Sequence, residues 1–159
     1  MIGFLSKIFG GNKSEKDIKS ILPIVEEVNK YFVSYSSLTN DELRAKTAEF
    51  KARIAEHLGG IDAKIAELNK NAEDLPFSDI GGKDVLYQEI DALKKDRDEQ
   101  IEEVLETLLP EAFAVVKETA RRFKENAEMV ATATELDRNL SIKKEHIRID
   151  GQQSVYNNS

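Results

Sequence analysis

The chain has 159 residues, a formal net charge of −7, 33% charged and 7% aromatic residues, and no Trp or Cys. The missing Cys excludes a disulfide framework and a thiolate metal site, and the lack of a basic excess argues against general nucleic-acid affinity, which needs cations to release counterions. Three Pro and eight Gly suit long helices rather than a β-sandwich, and no apolar run approaches the roughly 20 residues that span a bilayer. The first residues lack the long apolar core and small-residue cleavage site of a secretory signal, so a cytoplasmic protein is expected.

The first unit, residues 1–13, places Met1, Phe4, Leu5, Ile8 and Phe9 on one helical face, with Gly3, Ser6 and Lys7 opposite. So short a helix needs an apolar surface to lie on. That surface is either the protein's own core or a membrane interface or partner groove, with Lys7 and Lys13 towards anionic headgroups. Ile2 rules out a myristoylation signal.

Ser14 and Asp17 suggest a cap for a helix to about Tyr35, with a stripe of Ile18, Ile21, Leu22, Val25, Val28 and Phe32. Pro23 should kink or locally break it. Ser34 to Ser37 reads as a turn. The next helix, Leu38 to Leu58, carries a capping box in Thr39 and Glu42, and Leu38 and Leu43 are placed as a hydrophobic staple. Leu43, Phe50, Ile54 and Leu58 form its stripe, Glu42–Lys46 and Glu49–Arg53 are i,i+4 pairs, and Gly59-Gly60 is expected to stop it.

A shorter helix from Ile61 to about Ala72, a loop from Glu73 to Gly82, and a long helix from Lys83 to Leu109 follow. Leu86, Ile90, Leu93, Arg97, Ile101, Val104 and Leu108 trace the long helix's stripe, while Lys94 to Gln100 is entirely charged or polar. That combination predicts an antiparallel helical hairpin solvated in its middle, not a strict coiled coil. Pro110 marks a new N-terminus, and Phe113, Val116, Ala120, Phe123, Ala127 and Val130 carry a stripe towards about Asp137. His146 to Ile149 before Asp150-Gly151 reads either as a small hairpin or as part of a disordered or cut polar end. The fold expected is all-α, with a possible short β-hairpin near the C-terminus.

No catalytic, cofactor-binding or metal site emerges. His57 and His146 stand in no ligand spacing, and the acidic pairs read as solvated faces. Asp79-Ile80-Gly81-Gly82-Lys83-Asp84 hints at a phosphate loop. However, Phe77 stands where that motif needs Gly, and Asp84 where it needs Ser or Thr. A turn before a helix is the reading adopted.

Three blocks in order, GFLSKIFG (Gly3–Gly10), LTNDELRAKTAEFKARI (Leu38–Ile54) and LLPEAFAVVKETARR (Leu108–Arg122), resemble the extreme N-terminus of the SecA family, the ATPase motors of bacterial protein export. The resemblance implies that Phe4, Leu5, Lys7, Ile8 and Phe9 attach the motor to anionic lipid and to the SecY channel, with a part in some homodimers. It implies packing helices over 14–60 and 108–137 on the edge of the first nucleotide-binding domain. Departures from the family pattern mark 61–107 as a helical-hairpin insertion and 138–159 as a polar tail or truncated second insertion, as in Bacteroidetes-type members. The adenine-reading Gln segment and the Gly-rich phosphate loop that usually follow are not in this sequence. The expectation is a non-catalytic N-terminal fragment, peripheral on the cytoplasmic face of the inner membrane. ATP, Mg²⁺, SecYEG and preprotein would be ligands and partners of the parent. The competing class is a free-standing helical adaptor whose hairpin recruits a protein partner.

Overall fold

The computed structural model describes residues 13–158, with side chains from residue 17 onward. The N-terminal attachment residues Phe4, Leu5, Lys7, Ile8 and Phe9 lie outside what is described, as does the side chain of Ser14, the expected cap. The described elements are α1 (Lys13–Tyr35), α2 (Asn40–Asp74), α3 (Ile80–Glu125), β1 (Glu128–Thr132), α4 (Glu135–Ser141), β2 (Ile147–Asp150) and β3 (Gln153–Asn157). The all-α expectation is therefore corrected: the chain is mostly helical and carries a three-stranded antiparallel sheet of order β1-β3-β2. The described chain divides into two compact units, one joining residues up to Leu43 with Pro110–Ser159, the other Arg44–Leu109.

In the first unit, α1 runs unbroken through Pro23. It then ends at a turn in which the Leu38 amide donates to the Tyr35 carbonyl at 3.1 Å. The capping box forms as the sequence indicates: the Thr39 amide donates to Glu42 at 2.7 Å and the Glu42 amide to the Thr39 hydroxyl at 3.2 Å. The Thr39 amide first, and then the Thr39 hydroxyl, which donates to the same carboxylate at 2.8 Å, hold the Glu42 carboxyl below its ordinary range. Tyr35, Leu43 and Ala114 make the small core, with Val28, Tyr31, Phe32, Leu38 and Val115 packed against it. The N-terminal end of the α1 stripe is not part of this core: Ile18, Ile21, Leu22 and Val25 are exposed.

The helix expected over Pro110–Asp137 is overturned at both ends. Pro110 lies inside a continuous α3, and the helix stops at Glu125. Glu128 to Thr132 then pairs with β3, in the register Glu128↔Asn157 to Thr132↔Gln153. The β-branched Val130 and Thr132 suit a pleated, half-buried surface, and the pairing with Ser154 and Val155 overrides the weak helical periodicity. The suspected hairpin does form, Ile147 to Asp150 against Gln153 to Tyr156. Gly151 holds φ +58° in its two-residue turn, a conformation that costs other residues.

In the second unit, the N-terminal half of α3 runs antiparallel to α2. Asp62 faces Arg97 (2.5 Å) and Lys64 faces Glu89 (3.7 Å), on either side of the turn between the helices. Of the expected stripes, Leu58, Ile90, Val104 and Leu108 are buried while Leu86, Leu93, Arg97 and Ile101 are half-buried, and Ala72, outside those stripes, is buried as well. Arg97, in the polar middle, reaches across to Asp62. Its hydrogen bonds hold that carboxyl below the ordinary range. The expectation that Gly59-Gly60 ends α2 is wrong, because the helix continues through both glycines to Asp74. Burial on either side, at Leu58 and Ala72, outweighs a propensity deficit of about 1 kcal/mol per glycine.

A Cβ added at Gly59 or Gly60 meets nothing within 4 Å. Gly59→Ala and Gly60→Ala are therefore expected to stabilise the chain by about 0.5–1 kcal/mol each, read as a raised urea midpoint. A lowered midpoint would mean that α2 needs a break there.

Candidate functional site

The C-terminal part of α3 buries an unexpected face. Its periodic apolar residues Phe113, Val116 and Phe123 are exposed, while Glu111, Ala114, Glu118 and Arg122 are inside. These four fall at i, i+3, i+7 and i+11, a regular helical stripe that is polar at three of its four positions. A hydrophobic reading of the sequence passes over it. The spacing of Glu118 and Arg122, an i,i+4 pair in the favourable order, was the available signal.

Arg122 is the centre of the arrangement. Its Nε donates to Glu118 Oε1 at 2.7 Å and its Nη1 to Asn40 Oδ1 at 2.7 Å. Its Nη2 donates to the carbonyls of Tyr35 (3.1 Å) and Leu38 (2.7 Å). Glu118, fully buried, also accepts two bonds from Arg121, at 2.8 and 2.6 Å. Arg121 extends the chain of charges to Glu125. Hydrogen bonds from Arg121 first, and then Arg122, hold the Glu118 carboxyl below its ordinary range. The same bonds raise the Arg121 guanidinium further above its own.

The network reaches the sheet. The Asn40 side-chain amide donates to the Val130 carbonyl at 2.7 Å. Asp41 accepts from the Thr132 amide at 2.8 Å and from its hydroxyl at 2.7 Å. Asn158 donates to the carbonyls of Phe123 and Asn126, and the Tyr156 ring meets Phe123 edge-on at 6.3 Å. Tyr156 also donates to Asp137, which forms a capping box with Thr134 at the start of α4.

Arg122, Asn40, Arg121, Glu125, Asn126 and Met129 line a shallow cleft of about 290 Å³. Its charges are engaged with one another, so its chemistry is that of a brace: it fixes a turn, a helix end and a strand together. His57 and His146 are both exposed, and among the described residues no three His, Asp or Glu converge on a metal position. The phosphate-loop look-alike is a helix cap, with the Asp79 carboxylate accepting from the Gly82 amide at 3.0 Å. No described helix is long and apolar enough to cross a membrane.

The brace joins elements drawn from the Leu38–Ile54 and Leu108–Arg122 blocks. The family model described as the SecA DEAD-like domain matches residues 5–137. The chain belongs to the SecA family. It is 44% identical to the protein translocase subunit SecA of Christiangramia forsetii over 153 residues, covering 96% of this chain. Against the SecA of Parabacteroides distasonis it is 41% identical over 155 residues, and against that of Flavobacterium psychrophilum 44% over 158. The chain spans 13–14% of the length of these SecA relatives. The matched 96–99% of the chain takes in the sequence of the hairpin as well as that of the two helical blocks. No solved structure matches the chain significantly.

Because the Glu118 carboxyl is held low in the fold, its contribution is complete above its unfolded value of roughly 4.3 and is lost as pH falls through the folded one. Glu118→Gln should cost on the order of 3 kcal/mol at neutral pH and flatten the acid limb of stability in urea titrations from neutral to acid. An unchanged acid limb would remove Glu118 from the account.

Proposed function

We propose that the chain is a non-catalytic, N-terminal part of a SecA motor that couples ATP hydrolysis to export of preproteins through the SecYEG channel. The observation that carries this reading is the near-complete coverage of the chain by relatives named protein translocase subunit SecA, at little more than an eighth of their length. ATP and its magnesium belong, on this reading, to the remainder of the motor. The chain supplies scaffold helices, and residues 1–13 supply attachment to the anionic cytoplasmic face of the membrane and to SecY. Phe4, Leu5, Ile8 and Phe9 are the apolar contacts, Lys7 the headgroup contact, and the same face serves in a homodimer.

The scaffold role draws support from two apolar rows. On α1, Ile18, Ile21, Leu22 and Val25 are 43–55% exposed, and on α3, Phe113, Val116 and Phe123 are 41–66% exposed. A self-sufficient helical unit turns such rows inward. A part of a larger fold leaves them for the neighbouring domain to cover.

Two measurements test the proposal. Titration with Mg–ATP in a calorimeter should give no binding heat, and a micromolar dissociation constant would contradict it. Vesicles containing phosphatidylglycerol should pellet the chain weakly and less at high salt. Replacing Phe4, Leu5, Ile8 and Phe9 together by Ser should abolish pelleting. Unchanged pelleting would place the attachment elsewhere.

A further inference from the structure

The Arg44–Leu109 hairpin distributes its apolar residues unevenly. Along its length, Leu58, Ala72, Ile90, Val104 and Leu108 are buried. Of its six exposed large apolar residues, Phe77, Ile80, Val85 and Tyr87 crowd around the turn, and only Leu105 and Leu109 lie at the other end. Phe77 is 95% exposed. Leaving one such ring in water forgoes roughly 1.5–3 kcal/mol of burial, and a cluster of apolar side chains at one point of a surface marks an interaction site.

The turn that presents Phe77 is well ordered by its own bonds. The Asp79 amide donates to the Pro76 carbonyl at 3.0 Å, and the Lys83 amide to the Asp79 carbonyl at 3.2 Å. The Asp79 carboxylate caps α3 at the Gly82 amide and lies so close that a Cβ at Gly82 would come within 2.5 Å of it. A backbone held in this way has little freedom of its own to lose when the tip docks.

The charge around the tip chooses among occupants. Between residues 73 and 84 the chain carries Glu73, Asp74, Asp79 and Asp84 against Lys83 alone. Ile80, Asp84 and Tyr87 fall at i, i+4 and i+7, so a carboxylate sits between two apolar side chains on one helical face. Anionic headgroups are repelled by such a surface, and a second copy would bring like charges together. A basic protein surface is attracted and oriented by it.

We propose that the hairpin tip, led by Phe77, docks into an apolar pocket rimmed by Lys and Arg on a partner protein. The inference stands on the hairpin alone and does not depend on the translocation reading. The probe is a synthetic amphipathic peptide alternating Leu and Lys, titrated into the isotope-labelled chain and followed by amide chemical shifts. Its Leu–Glu analogue and phosphatidylglycerol vesicles serve as the competing arms, and sedimentation of the chain alone tests self-association. The Leu–Lys peptide should shift residues 75–87 most, and Phe77→Ser with Ile80→Ser should weaken it at least tenfold, as should Asp74→Lys with Asp84→Lys. All four positions are exposed and outside the cap, and an unchanged far-ultraviolet circular dichroism spectrum confirms folding of each variant. Shifts centred elsewhere, equal affinity in the variants, equal binding of the Glu analogue, vesicle binding through the tip, or a dimer abolished by Phe77→Ser would each overturn the proposal.

Discussion

A single guanidinium organises the first unit. Burying Arg122 among protein groups is costly unless its donors are satisfied, and they are met by Glu118 on its own helix and by Asn40 and two carbonyls of the α1–α2 turn. Two of those acceptors sit at or just beyond the C-terminal end of α1, where carbonyls lose their helical partners and the helix dipole favours a cation. The turn therefore has one conformation in which both sides are satisfied. Once it is set, Asn40 and Asp41 are aimed at β1, and the sheet is attached through Val130 and Thr132.

What could be read from the sequence was whatever depends on neighbours in the chain. The Thr39–Glu42 box and the stripe from Leu86 to Leu108 are local patterns, and the hairpin at Asp150-Gly151 was one of the two readings its residues allowed. What could not be read depended on partners far along the chain. Glu128 to Thr132 became a strand because β3 arrives to pair with it, 21 to 29 residues later. Gly59, Gly60 and Pro110 are breakers by propensity, yet each lies within a continuous helix whose burial outweighs it. The buried polar stripe of Glu111, Glu118 and Arg122 was concealed by a stronger apolar stripe beside it, which is left in solvent. The face proposed for attachment, Phe4 to Phe9, was legible as a pattern, and it falls outside the described residues.

The two units solve different problems. The hairpin buries its stripe by folding back on itself, so it keeps exposed apolar side chains mainly at its turn. The helix–sheet unit has a small core around Tyr35, Leu43 and Ala114, and it relies on an ionic brace for what its core does not supply. The chain spans about one seventh of its SecA relatives' length, which accords with the proposal that a neighbouring domain covers its exposed apolar rows.

The central claim is that Arg122 couples the α1–α2 turn to β1. Native-state amide exchange of the parent and of Arg122→Met tests it most directly. The account predicts that amides from Leu38 to Leu43 and from Val130 to Thr132 exchange together, at least about tenfold faster in the variant, while those from Ile90 to Val104 keep their protection. Retained protection at Leu38–Leu43, or a uniform acceleration across both units, would contradict it.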